Sequence, residues 1–166
     1  MICLPAMRMT TTIKILAGCV SAIVLASILL TSGFAKPMKN TTKQFLNLDG
    51  QKPPGYTHVV TSPPGKMIFI SGRGGTGKDG KMPPDFVTQA TNTFEDLKRC
   101  LAAAGATFKD VVKINYFVTD MANTTELRRI RAQYLNMENP PAATLVQAGL
   151  GAGLLLEVEA IAIVPE

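Results

Sequence analysis

The chain is poor in the residues from which many catalytic sites are built. It has one histidine, His58, no tryptophan, and three cysteines, of which Cys3 and Cys19 lie close to the start. A lone histidine excludes a His-based metal cluster. A single cysteine in the body, Cys100, excludes zinc-type cysteine spacing and an intramolecular disulfide there. Gly-x-Ser-x-Gly is absent. Charged residues make up only 17% of the chain, and no block of lysine or arginine stands out, so nothing argues for nucleic acid. Cys100 falls near the apolar side of a predicted helix and reads as a buried, inert thiol.

What is abundant is apolar residues, at 46%, with the excess at the front. Residues 1–35 have the layout of an export signal. Arg8 and Lys14 supply a positive start, 15–30 is an apolar run, and Gly33 and Ala35 fit a small-x-small cleavage site. The expectation is a protein exported to the periplasm or beyond. The alternative is a membrane anchor over 15–35, just long enough to span a bilayer. Loss of the leader removes Arg8 and Lys14 but no acid, taking the formal charge from +5 to +3. Residues 36–54 read as a linker and lead-in, in which Phe45, Leu46 and Leu48 suit a short edge strand. The domain proper is expected over 55–166.

Within that domain the spacing predicts strands over 56–60 and 66–71, joined as a hairpin by Ser62-Pro63-Pro64-Gly65. A helix is predicted over 85–104, with Phe86, Ala90, Phe94, Leu97, Leu101 and Ala104 on one stripe, Asp85 capping its start and Gly105 its stop. A strand follows over 110–119, then a helix over 123–137 opened by the capping-box pair Asn123 and Glu126. Arg128, Arg129 and Arg131 lie mainly off its apolar stripe and read as a solvated face. Strands over 144–148 and 154–164 close the chain. Between the second strand and the first helix, Gly72-x-x-x-x-Gly77-Lys78 resembles a phosphate loop. Asp79 stands where a magnesium-binding hydroxyl belongs, and Pro83-Pro84 delay the helix, so a plain glycine loop is expected.

The order β-β-α-β-α-β-β predicts an α+β fold, a mixed sheet with two helices on one face. On the last strand Leu156, Val158, Ala160, Ala162 and Val164 form that covered face. Leu155, Glu157, Glu159, Ile161 and Ile163 alternate onto the other. Leaving those apolar residues in water would expose a sizeable patch, so this face is expected to be covered by further copies of the chain. Glu157 and Glu159 share it. A carboxyl held in an apolar interface has its charged form disfavoured, which suits general acid–base work. The alternative is pairing of both acids with cations of a neighbour. Tyr56 and His58 alternate onto one face of the first strand.

From about residue 55 to 163 the sequence resembles the reactive intermediate deaminase family, also called RidA or YjgF. The resemblance rests on Pro-Gly-Tyr56, Phe-Ile-Ser71-Gly72, Ala104-Gly105-Ala106-Thr107 before Asp110-Val111-Val112-Lys113, Pro141-Ala142, and Leu156-Glu157-Val158-Glu159-Ala160-Ile161-Ala162. It implies a chorismate-mutase-like subunit in a homotrimer, with small-molecule ligands in clefts between subunits. It also implies hydrolysis of imines or enamines such as 2-aminoacrylate to 2-keto acids and ammonia, with no metal or organic cofactor. By position, Tyr56, Ser71 and Gly72 match ligand-lining residues, and Glu157 matches the acid that assists proton transfer and water attack. Ala143 stands where deaminating members carry the arginine that grips the substrate carboxylate. Arg73 and Arg129 are the cations considered as compensation. Two further readings stay open on the same architecture. One is a non-enzymatic, holdase-like or small-ligand-binding trimer; the other is a chorismate-mutase-type rearrangement.

Overall fold

A computed structural model of the chain describes residues 42–151 and 153–166. The leader and its anchor alternative lie outside the described residues. Among the described residues no helix is long and apolar enough to cross a membrane.

The strands are β1 (Gln44–Leu46), β2 (Val59–Thr61), β3 (Gly65–Gly74), β4 (Val111–Val118), β5 (Ala142–Gln147) and β6 (Leu156–Pro165). The helices are α1 (Phe86–Ala103) and α2 (Thr124–Arg131). Four strands form one mixed sheet in the order β3-β6-β4-β5, with β4 and β5 parallel and the other pairs antiparallel. The lead-in does hold an edge strand, since β1 pairs with β2.

That pairing corrects one expectation, because β2 and β3 do not form a hairpin. β2 takes its partner from the lead-in, and β3 takes its partner from the C-terminal β6. Pro63 and Pro64 lie in the loop between β2 and β3, outside both strands. The second helix is also shorter than its apolar pattern suggested. It ends at Arg131, and the chain continues through turns that carry Tyr134 and Leu135 against the core. Asn123 makes no side-chain cap, and Glu126 instead receives a hydrogen bond from Arg129 at 2.8 Å.

The core lies between the sheet and the helices. From β6 it takes Leu156, Val158, Ala160 and Ala162, and from β4 Ile114, Tyr116 and Val118. α1 contributes the expected stripe, with Ala90, Phe94, Leu97 and Leu101 essentially inaccessible to solvent. Asp85 caps it, accepting a hydrogen bond from the Thr88 amide at 2.8 Å. Gly105 ends it with a positive φ of 74°. Cys100 packs against this core but is half-buried rather than fully buried as expected.

One buried polar residue ties helix to sheet. Gln89 donates from Nε2 to the carbonyls of Pro83 and Gly153, each at 2.7 Å, and accepts from the Leu155 amide at 2.9 Å. It thereby anchors the approach to β6 and sets where Glu157 begins. Gln89→Ala would remove the buried side-chain partner of three backbone groups. It is expected to lower stability by about 2 kcal/mol, read from the midpoint of urea unfolding.

Candidate functional site

The outer face of the sheet is the uncovered one. Phe69 is 70% exposed and Met67 is 56% exposed, beside half-buried Ile161, Ile163 and Phe117. Glu157 and Glu159 sit on this face, as alternation required, but the structure separates their roles. Glu159 accepts a hydrogen bond from Asn115 Nδ2 on β4 at 2.8 Å. Glu157 has no hydrogen-bond or ion-pair partner among the described residues, and its carboxylate lies directly against Gly72. A Cβ at Gly72 would overlap Glu157 Oε1.

Ser71 and Gly72 form a bulge in β3. Ile70 pairs with Ala160 and Arg73 with Val158, so three steps on β3 span two on β6. The bulge reverses side-chain parity. Ser71 stays exposed on the outer side, whereas Arg73 turns to the helix side and pairs with Asp96 of α1. Asp96 is held by Arg99 as well. Burial opposes ionisation of Asp96, but the hydrogen bonds and charges of Arg73 and Arg99 outweigh it and lower its pKa.

Tyr56 lies elsewhere. Thr57, buried beside it, donates from its amide to the Pro141 carbonyl at 3.2 Å and from its hydroxyl to the Pro140 carbonyl at 2.6 Å. These bonds clamp the Tyr56 segment to the start of β5, where Ala143 pairs with Ile114. Tyr56 packs edge-on to His58 at 5.7 Å between ring centroids. The His58 imidazole is occupied, with Nδ1 accepting from the Leu48 amide at 3.1 Å.

Tyr56 and Ala143 line a cavity of about 310 Å³ together with Tyr116, Arg128, Arg131 and Leu145. Arg131 was expected on a solvated face, yet it is only 8% exposed. The guanidinium lies over the Tyr116 ring, 5.6 Å from its centroid. It also passes so close under Gly55 that a Cβ there would overlap it. Gly55 therefore serves twice, since its φ of 85° also favours glycine. Tyr116 has no hydrogen-bond partner for its hydroxyl, and burial pushes its pKa up to about 12 against the opposing pull of Arg131.

The sequence-derived candidates thus fall into two groups. Glu157, Ser71 and Gly72 meet on the outer face near the β3 edge. Tyr56 and Ala143 meet across the sheet, on the helix side, at the β5 edge. Arg73 and Arg129 belong to neither group, as each is held by an acid, Asp96 and Glu126 respectively. Arg131 is the residue that sequence reasoning missed. Its burial depends on Gly55 and Tyr116, which are distant in sequence, and the only local signal was the Gly-Tyr pair before the first strand. The glycine loop is no phosphate cradle, for it closes on itself. The Gly77 amide bonds the Lys81 carbonyl at 2.8 Å, and the Lys81 amide bonds Asp79 Oδ1 at 3.1 Å. Among the described residues no cluster of His, Cys, Asp or Glu is placed to hold a metal ion.

Two helices on one face of a mixed four-stranded sheet, with polar residues gathered at its edges, define the class: a small α+β subunit of the YjgF type. The family model described as endoribonuclease L-PSP matches residues 50–164. The chain belongs to this family, the one that contains the RidA and YjgF proteins. It is 35% identical over 112 residues to the RutC family protein YjgH of Escherichia coli K12, covering 67% of this chain and 84% of that protein. It is 31% identical over 103 residues to TdcF of the same organism, covering 60% of this chain and 80% of TdcF, whose name proposes it as a reactive intermediate deaminase. Among solved structures, YyfB of the Rid family from Yersinia pestis matches with a TM-score of 0.65 at 28% identity. That match covers 75% of this chain and 100% of YyfB.

Proposed function

We propose that this chain is an imine or enamine hydrolase of the RidA type, working as a homotrimer with its site between copies. The supporting observation is the split of the site. Glu157 with Gly72 and Tyr56 with Ala143 lie on opposite faces of one sheet. They are also separated by about two to three strand spacings, or roughly 10–14 Å. No small ligand bridges them within one copy, whereas a second copy that set its β5 edge against the uncovered face of the first would bring one half-site to the other. The exposed Phe69 and Met67 favour such a contact.

The chemistry suits an unpaired carboxylate. Water attacks the C=N carbon as Glu157 takes its proton, giving a carbinolamine. Glu157 returns that proton to nitrogen, takes the hydroxyl's proton and relays it to nitrogen as well, and the C–N bond breaks, so that ammonia leaves behind a carbonyl compound. An enamine first gains a proton on carbon and loses one from nitrogen to reach the imine.

Ala143 favours a second reading, a trimer that binds a small ligand without turning it over. One assay separates the two. 2-Aminoacrylate is generated in situ, and ammonia is followed with and without the protein. Release above the buffer rate supports the hydrolase; none, with retained binding of pyruvate, supports the binding protein. Export through residues 1–35 belongs to the same proposal. Cell fractionation tests it, and recovery of the full-length chain in the cytoplasm would overturn it.

A further inference from the structure

We infer that Arg131, assisted by Arg128, forms a carboxylate-binding subsite beside Ala143. The cation that the β5 strand lacks would then be supplied from α2. The inference deepens the proposed hydrolase reading and rests on it for the identity of the substrate, an imino or 2-keto acid. The binding itself stands on geometry.

Three observations carry it. Arg131 is nine-tenths buried, yet no salt bridge of the described residues includes it, and its Nε has no hydrogen-bond partner. A buried guanidinium with no counter-ion is costly unless something else satisfies it. Arg128 is one helical turn away, is exposed, and also has no ion pair among the described residues. Like charges at this spacing repel, so the pair needs an anion more than either residue alone. Both line the same cavity of about 310 Å³, whose lining contains no carboxylate.

The geometry favours a planar anion. Arg131 is fixed from one side by the Tyr116 ring and from the other by Gly55, which orients its guanidinium before any ligand arrives. A planar fork so held matches a carboxylate in two-point fashion. The small side chain of Ala143 leaves open the space in which that carboxylate would sit, with Tyr56 at the mouth. An arginine from β5 would crowd the space already served by α2.

The experiment is calorimetric titration of the full-length protein with pyruvate, pyruvamide and inorganic phosphate, alongside the ammonia assay. Pyruvate is expected to bind and pyruvamide to bind at least about tenfold more weakly, because a charged hydrogen bond is lost. Arg131→Gln is expected to weaken pyruvate about tenfold or more. Arg131→Lys should recover only part of this, since it keeps the charge but not the fork. Arg128→Glu guards against misfolding of the buried variants. It changes an exposed residue and sets an acid one turn from Arg131, where it competes with the ligand for the guanidinium. It too should weaken pyruvate binding about tenfold or more.

Equal binding of pyruvate and pyruvamide, tighter binding of phosphate than of pyruvate, or unchanged pyruvate affinity in folded Arg131→Gln and Arg128→Glu would each overturn the inference. Pyruvate binding that depends on Arg131 without any ammonia release leaves the subsite standing and removes the hydrolase. Ammonia release with a KM indifferent to both substitutions does the reverse.

Discussion

Glu157→Gln is expected to lower ammonia release from 2-aminoacrylate by about 100-fold or more, the usual worth of a positioned general acid–base. The substitution keeps shape and removes only the ability to take up and return a proton. Its control is the neighbouring acid. Glu159 is held by Asn115 at 2.8 Å, whereas Glu157 lies free against Gly72. Glu159→Gln should therefore leave most of the rate, within a few-fold, and act mainly through the Asn115 contact. Equal losses from the two substitutions would mean that the face as a whole matters and that Glu157 has no special role. Circular dichroism and the oligomeric state of both variants guard against a trivial cause. A loss confined to kcat points to proton transfer, and one confined to KM to ligand contact.

Phe94→Ala is expected to be the most damaging single change to stability, at about 4 kcal/mol. Phe94 is fully buried in α1 and meets three other rings. Tyr134 stacks on it at 5.0 Å between centroids, Phe108 is tilted at 6.2 Å, and Tyr116 lies at 6.5 Å. Truncation leaves a void walled by α1, β4 and the turns after α2, which cannot all close in together. Aromatic contacts add about 0.5–1.5 kcal/mol beyond buried area. Urea unfolding measures the effect, and a loss below about 1 kcal/mol would mean that the cluster repacks. Tyr116 joins this cluster to the cavity that holds Arg131. The same variant should therefore also weaken pyruvate binding, although Phe94 does not line that cavity.

Much of the fold follows from local pattern. Steps of three and four in α1 mark its buried stripe, and Asp85 and Gly105 bound it by short-range hydrogen bonding and backbone preference. Alternation along β6 sorts Leu156, Val158, Ala160 and Ala162 from Glu157 and Glu159, because a strand has period two whatever lies beside it. These features depend on residues within a turn or two of one another, so they are readable before any partner strand is known.

Pairing is different. The Ser62-to-Gly65 turn looked sufficient for a hairpin, yet β2 takes β1 as its partner and β3 joins β6, nearly a hundred residues away in sequence. The bulge at Ser71 and Gly72 sends Arg73 to the helix side, into Asp96, which alternation alone placed wrongly for a site on the outer face. Arg129 was equally available on paper and is taken by Glu126.

The acid that opens the proposed chemistry, Glu157, was legible from residue order. The cation that would complete it was not, because Arg131 reads as one of three arginines on a polar helix end. Only the folded chain lays Gly55 over it and Tyr116 beneath it. Burial and the lack of a counter-ion are properties of that long-range packing, and no local spacing encodes them.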